Sequence, residues 1–141
     1  MMPQADFYIL PEDNSLSPLL YTVRLVEKAF RLGHRLYVHT TDAAQTNALS
    51  ELLWQREGSF LAHSTAAGTA ASAILVSHQG QPGDHTGVLV NLAGIIPPFF
   101  QQFQRVAEIV PGNPESRSQS RDNFRFYKEK GYALKTHNIS P

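Results

Sequence analysis

Apolar residues follow two different patterns in the first half of the chain. Two short apolar runs, "DFYIL" at 6–10 and "RLYVHT" at 35–40, are typical of buried strands. Over 19–32 and over 43–54, apolar residues recur every three or four positions, which predicts an amphipathic helix after each strand. Strands that alternate with helices predict a parallel sheet with right-handed crossovers and with helices covering the sheet.

Boundary residues support both helices. Either Ser15 or Ser17 can cap the first helix, and Gly33 is a stop signal at its end. The second helix follows "TTD", in which Asp42 is the expected cap. Asp42 also stands where a ribose-binding acid sits in Rossmann domains, but its capping role explains it without any ligand.

The second half of the chain predicts further strands around one short and one long helix. We expect 58–64 to hold a short extended piece and 64–72 to be a surface loop. Two β-branched runs, "AILVSH" and "GVLVNL", are expected to be central strands. The later elements, in order, are strands at 73–78 and 87–92, a short helix at 96–103, a strand at 105–110, a helix at about 115–130, and a final edge strand or extended tail at 132–137.

Composition then bounds the class of protein. The chain has 141 residues, of which 42% are hydrophobic, and its formal net charge is zero. This length suits one domain, so we expect residues 1–141 to form a single α/β domain. The absence of cysteine excludes disulfides and thiolate metal sites. Because the sequence has neither a signal-peptide pattern nor a membrane-spanning run, we expect a cytoplasmic protein without a membrane partner.

Motifs for catalysis or cofactor binding are weak. The turn after the first strand, "LPEDNSLS", has no glycine to bring backbone N–H groups to a phosphate, and its acids would repel one. The sequence has no GxxxxGK[ST] or GxSxG pattern, and its six histidines lack metal-site spacing. We therefore predict no cofactor, no metal and no catalytic residue. The alternative is a nucleotide-binding or hydrolytic enzyme that uses the strand ends near Asp42 and Asn91.

One segment near the C-terminus concentrates positive charge and aromatic rings. It reads "RDNFRFYKEKGYALKTH", at 121–137, in a chain that is otherwise nearly balanced. Helical spacing turns Phe126, Tyr127 and Lys130 away from a face that carries cations and one ring. That face consists of Arg117, Arg121, Phe124, Arg125 and Lys128.

Three interpretations of this face stay open. It can be a solvated basic surface, which is the usual fate of a run of charges. It also suits an acidic peptide that ends in an aromatic residue with a free carboxylate, because cations pair the carboxylates while an apolar wall receives the ring. Direct binding of single-stranded nucleic acid, with bases stacked on the ring, is the third interpretation. At the end of the second predicted helix, Trp54 is either a core or rim aromatic or a partner contact.

Several stretches together resemble a known family along essentially the whole chain. They are "FYIL", "LLWQREGSFLAHS" at 52–64, "GVLVNL" followed by "PPFF", and "EIVP" with "SRDNFRFYKEKGYAL". The last contains the pattern R-x-x-[FY]-[KR]-x-[YF]-[KR]-x-x-G-[FY]. The chain resembles the chi subunit of bacterial DNA polymerase III, an accessory protein of the clamp loader.

This resemblance implies a Rossmann-like domain with three layers, a mostly parallel sheet and no nucleotide chemistry. It implies a non-catalytic adaptor in DNA replication that contacts nucleic acid only indirectly. The partners implied are the psi subunit and the acidic, Phe-terminated C-terminal tail of the single-stranded DNA-binding protein. Carried over by the resemblance, the tail site consists of Val110, Arg117, Arg121, Phe124, Arg125 and Lys128, and the psi surface of Trp54, Phe60 and His63. The family more often has Tyr where this chain has Phe124, so a hydroxyl contact is not expected.

Overall fold

The predicted apolar runs pair into one sheet. The computed structural model describes residues 3–13, 15–55, 74–79 and 86–140. The strands are β1 (Gln4–Ile9), β2 (Leu36–His39), β3 (Ile74–Ser77), β4 (Val88–Asn91), β5 (Arg105–Val110) and β6 (Ala133–Asn138). Their order in the sheet is β3-β2-β4-β5-β1-β6, and all five described pairs are parallel. The described chain is therefore an α/β fold with a parallel sheet, as the strand–helix alternation predicts.

The long helices begin at polar caps. They are α1 (Pro18–Arg31), α2 (Ala43–Trp54) and α3 (Pro114–Glu129), and a one-turn 3-10 helix spans Phe100–Gln102. Side-chain oxygens of Ser17, Asp42 and Asn113 each accept a hydrogen bond from a backbone N–H in the first turn of α1, α2 and α3. The short helix predicted at 96–103 is only one turn long, because the chain is already extended at Phe103, with φ −103° and ψ 143°.

Two hydrophobic clusters lie on opposite faces of the sheet. Helices α1 and α2 contact each other and cover one face, whereas α3 and the 3-10 helix cover the other. Side chains alternate between the clusters along each strand, so that Val88 and Val90 face α1 while Leu89 faces the aromatic cluster beneath α3. Strands β3 and β4 are buried on both faces, which explains why their sequences are apolar up to the last residue rather than alternating.

Strand β3 corrects one prediction. Of the two runs expected to be central strands, β4 lies between β2 and β5, but β3 is one of the two edge strands of the described sheet. Its side chains are still buried on both faces, with Leu75 on one side and Ile74 and Val76 on the other. An apolar run reports this burial and not the presence of a second neighbouring strand. The predictions for 58–64 and 64–72 fall outside the described residues.

Two glycines fix the position of α3. A side chain at Gly112 would clash with the carbonyl oxygen of Pro11, so the turn before α3 lies directly against the loop that follows β1. Gly131 adopts φ +85°, a left-handed conformation that ends α3 and redirects the chain into β6. Within the described residues, no helix is both long and apolar enough to cross a membrane.

Candidate functional site

The predicted basic face lies on one flank of α3. We call Arg117, Arg121, Arg125 and Lys128, together with Phe124, the cationic stripe. The Phe124 ring packs 5.5 Å from the ring of Phe7 in β1, and Arg117 Nη2 donates a hydrogen bond of 3.2 Å to the carbonyl oxygen of Leu10. Because β6 is the one described strand beyond β1, the stripe lies on the flank of α3 that faces the β6 edge.

The other flank of α3 faces the loop after β4. Phe126 packs against Phe100 of the 3-10 helix, with ring centroids 5.3 Å apart, and Asn123 Nδ2 donates to the carbonyl oxygen of Gly94 at 2.7 Å. Tyr127 lies between the two flanks and is fully buried. The structure thus confirms that Phe126 and Tyr127 turn away from the cationic stripe.

Arg117 is anchored to the fold. Besides its bond to Leu10, its guanidinium lies 3.4 Å from Glu12 Oε1, and only 30% of its side chain is exposed. Glu12 itself is 77% exposed, so the ion pair is accessible to solvent and weak. Glu12 is one of the two acids in the turn after β1 that would repel a phosphate, and the structure brings it beside the cationic stripe.

Arg121 and Lys128 are the most available cations of the stripe. Both are exposed, and neither forms a salt bridge with any described residue. Arg125 points further round the helix, where its Nη2 lies 2.6 Å from Asp122 Oδ1. A cleft of about 370 Å³ opens beside the stripe and is lined by Glu12, Gly112, Pro114, Arg117 and Arg121.

Val110 does not line that cleft. It ends β5 with 3% of its surface exposed and packs within the aromatic cluster that Phe124 partly covers. Its remaining surface lines a different cleft of about 240 Å³, on the flank of α3 that faces the β4 loop. The structure therefore places Val110 in the aromatic cluster against which Phe124 packs but leaves little of its surface free beside the cations.

A buried carboxylate holds the second cleft together. Glu108 in β5 is 3% exposed, and its Oε2 accepts a hydrogen bond of 2.9 Å from Asn91 Nδ2. Its Oε1 lies 3.4 Å from Asn123 Nδ2. Asn91 Nδ2 also donates to the carbonyl oxygen of Ile95 at 3.1 Å. We call Asn91, Glu108 and Asn123 the Glu108 network; it ties β4, β5 and α3 to the loop at 92–95.

Burial changes the acidity of this carboxylate. Burial raises the pKa of Glu108 to about 7, although hydrogen bonds from Asn91 and Asn123 act in the opposite direction. The hydroxyl of Tyr127 lies near the same carboxylate, and burial raises the pKa of that hydroxyl as well. Glu108 therefore holds its proton close to neutral pH.

The enzyme alternative relies on two residues at strand ends, Asp42 and Asn91, and both have structural roles. Asp42 Oδ1 accepts from the backbone N–H of Gln45 at 2.8 Å, which is the capping role expected for it. Asn91 is fully buried, and its amide oxygen accepts from the N–H of Ala93 at 3.1 Å. Asn91 is therefore bonded within the fold and shielded from a nucleotide, whereas Asp42 is exposed and caps α2.

Comparison with known proteins gives the family. The family model described as "DNA polymerase III chi subunit, HolC" matches residues 2–135. This match covers almost the whole chain. The chain belongs to this family.

Individual relatives agree with this assignment. The DNA polymerase III subunit chi of Pseudomonas aeruginosa is 39% identical over 139 residues, which is 98% of each chain. The subunit chi of Haemophilus influenzae is 27% identical over 143 residues, which is 99% of each chain. That of Escherichia coli K12 is 26% identical over 143 residues, or 96% of this chain and 97% of the relative. This chi-family chain is therefore a replication accessory protein of DNA polymerase III and not a catalytic subunit.

The residues expected to contact psi are only partly described. Trp54 is the last residue of α2, and 41% of its surface is exposed. It therefore lies at the rim of the hydrophobic core and not within it. Phe60 and His63 lie outside the described residues. The expected surface around Trp54 stays a prediction.

This chi-family chain also contains a buried charge cluster that was not predicted. Asp6 in β1 is buried, and its carboxylate accepts a bond of 2.8 Å from Arg105 Nε. The other oxygen lies 3.1 Å from both His137 Nε2 and Gln4 Nε2. Burial would raise the pKa of Asp6, but these hydrogen bonds outweigh it and the pKa is lowered. A charged residue inside an otherwise apolar strand, as in "DFYIL", is the signal that indicates such a cluster.

Proposed function

We propose that this chain links the clamp loader, through its psi subunit, to the acidic C-terminal tail of the single-stranded DNA-binding protein. The observation that carries the proposal is the exposed cationic stripe on α3 in a member of the chi family. Arg121 and Lys128 have no salt bridge with a described residue, so they are available to an acidic partner.

The tail binds through two kinds of contact. Arg121 and Lys128 pair with carboxylates of the tail, and Arg117 and Arg125 extend the positive field on either side. The terminal aromatic ring of the tail packs on Phe124, which is half-buried and supported from beneath by Phe7 and the cluster that includes Val110.

Charge and ring affect binding differently. Exposed charges mainly raise the association rate, and their effect falls as salt screens them. A buried ring governs dissociation because it must be resolvated when the tail leaves. We therefore expect salt to separate the two contributions.

Binding of a tail peptide tests the proposal. The probe is an Asp-rich peptide that ends in Phe with a free carboxylate, measured by fluorescence anisotropy at several salt concentrations. Arg121→Ala should cost about 1.5–3 kcal/mol of binding free energy and flatten the salt dependence. Phe124→Ala should weaken binding while nearly keeping the salt slope. Arg24→Ala removes an exposed arginine from α1, far from the stripe, and serves as the matched control.

Two results would contradict the tail site. In the first, Arg121→Ala and Phe124→Ala bind the peptide as the unmodified chain does. In the second, removal of the terminal Phe from the peptide leaves its affinity unchanged. In either case the cationic stripe is a solvated face.

The psi contact has its own test. Trp54→Ala should leave the isolated chain folded and reduce the amount of psi that co-purifies with it. The expected loss of binding free energy is at least about 2 kcal/mol, because exposed aromatics anchor many interfaces. The same surface should include Phe60 and His63, whose alanine variants should act in the same direction. If Trp54→Ala lowers the melting temperature sharply without any partner, Trp54 is a packing residue instead.

Single-stranded nucleic acid is the second candidate for the same stripe, since exposed cations around a ring also suit phosphates and bases. In that case affinity follows oligonucleotide length and falls steeply with salt. Competition decides between the two: an acidic tail peptide with a terminal Phe should bind in the presence of excess oligonucleotide, whereas a nucleic-acid site would lose the peptide.

A further inference from the structure

Strand β6 forms an open edge of the described sheet. Its inner side pairs with β1, where the N–H of Ala133 donates to Pro3 at 3.0 Å and the N–H of Ile139 donates to Ile9 at 2.9 Å. Peptide groups alternate in direction along a strand, so those of Leu134, Thr136 and Asn138 point outward. No described residue lies beyond β6 in the sheet.

The cationic stripe lies above this edge. Phe124 contacts Phe7, and the register partner of Phe7 in β6 is Thr136, whose side chain lies on the same face of the sheet. The flank of α3 that carries Arg121 and Lys128 is therefore the flank next to the outward-pointing groups of β6. A strand added beside β6 would run about 5 Å further out, beneath these cations.

Charge at the edge selects an acidic strand. Lys135 lies on the opposite face of β6, so side chains of an added strand would meet a cation on each face. Asp6, the register partner of Lys135, is an acid on that face, and it is already bonded to Arg105 and His137. Glu12 pairs with Arg117 at the far end of the stripe. The edge thus faces a net positive surface.

We infer that the acidic tail binds as a seventh strand along β6, so that backbone hydrogen bonds add to the charge and ring contacts. This inference rests on the proposed function and specifies how the tail is held. Every second residue of the tail points toward α3, where carboxylates meet Arg121 and Lys128, and every second N–H bonds to β6. The alternative is that Lys135 simply protects an exposed edge from pairing.

A scan of the tail backbone tests this arrangement. The probe is a ten-residue Asp-rich peptide ending in Phe, together with variants in which one peptide nitrogen at a time is methylated. Each methyl group removes one donor and blocks close approach of a neighbouring strand. Affinity should fall about 3- to 10-fold at every second position and change little at the positions between. Equal effects at neighbouring positions would overturn the inference.

The chain itself offers a matched pair of variants. Thr136→Pro removes an outward N–H at an exposed position of an edge strand, where proline is tolerated. Thr136→Val keeps that N–H. The proline variant should bind the ten-residue peptide about 3- to 10-fold more weakly than the valine variant. If Thr136→Pro does not fold, the backbone scan on the unmodified chain still decides the question.

Peptide length separates this inference from the proposed function. A four-residue peptide that ends in Phe retains the ring and terminal carboxylate but cannot follow the whole edge. We expect the ten-residue peptide to bind more tightly, with the Thr136→Pro effect present for the long peptide only. If both peptides bind equally and the scan has no alternation, the tail site stands and the added strand is wrong. If neither peptide binds, the proposed function fails with it.

Discussion

Polar groups are buried on one flank of α3 and exposed on the other. On the flank toward the β4 loop, Glu108 and Asn123 are buried and hydrogen-bonded within the described chain. On the flank toward β6, Arg121 and Lys128 are exposed and form no salt bridge with described residues. Buried polar groups that bond each other hold a fold together, whereas exposed cations around a ring are available to a partner. The comparison predicts that substitutions on the first flank change stability and those on the second change binding.

The largest change in the free energy of unfolding should come from substituting Tyr127, which lies between the two flanks. Tyr127→Ala removes a fully buried ring that packs against Phe7, Phe100 and Tyr132, and should lower the free energy of unfolding by about 3–5 kcal/mol. Tyr127→Phe keeps the ring and should cost less than about 1 kcal/mol, because the hydroxyl has no well-formed hydrogen bond among the described residues. Urea unfolding measures both, and equal losses would mean that the hydroxyl, not the ring, is needed.

The buried flank should also make stability depend on pH. The pKa of Glu108 rises from an ordinary value of 4.5 to about 7 on folding, so the folded chain binds this proton more tightly. The contribution of Glu108 to the free energy of unfolding is complete below pH 4.5. It is lost as pH rises through about 7, and the total loss is roughly 3 kcal/mol.

A matched variant isolates this contribution. Glu108→Gln cannot titrate, so its unfolding free energy should fall less between pH 5 and pH 8 than that of the unmodified chain. All other titrating groups are shared by the two chains, and the difference in slope reports Glu108 alone. Parallel pH profiles would show that the carboxyl is already ionised in the folded state.

Within the cationic stripe, Arg117 should behave partly like a residue of the buried flank. Arg117→Ala removes the bond to Leu10 and should lower the free energy of unfolding by about 1 kcal/mol, whereas Arg121→Ala should change it by less than about 0.5 kcal/mol. Thermal unfolding of both variants without partners measures this contrast. A reversed order would mean that Arg121, and not Arg117, holds the helix to the β1 loop.

The smallest effect is expected at Arg125. It is 71% exposed and already paired with Asp122, which is 64% exposed, so Arg125→Ala should change stability by no more than about 0.5 kcal/mol. Binding of the tail peptide should fall less than for Arg121→Ala, because the Asp122 carboxylate competes for this guanidinium. Asp122→Ala is the counterpart and should raise affinity slightly at low salt. A loss at Arg125 equal to that at Arg121 would place Arg125 in direct contact with the tail.

Local patterns were enough to predict most of the secondary structure. The α2 helix at 43–54, its Asp42 cap and the stop at Gly131 follow from spacing and from single residues with clear roles. The order of strands depends on contacts between distant segments, which single-sequence patterns do not contain. For this reason the outer position of β3 was not predicted.

The candidate site was also predictable only where it depends on local sequence. Spacing along α3 gave the cationic face and turned Tyr127 away from it, because both depend on one helix. The pairing of Arg117 with Leu10 and Glu12 joins segments more than a hundred positions apart, and the Glu108 network joins three elements. The position of Val110 within the aromatic cluster, rather than beside the cations, likewise depends on the packing of distant segments.

The position of β1 has a consequence for how the chain folds during synthesis. This first strand pairs with β5 and β6, whose residues lie about a hundred or more positions later. Among the described strands, β1 has no partner that is synthesised before β5. A ribosome that has released β1 through β4 has therefore not yet supplied either neighbour of β1. Contacts so distant in sequence close slowly, since the intervening chain must be ordered first. The half of the sheet that carries β1 and β6 should assemble last, after the C-terminal strand has emerged.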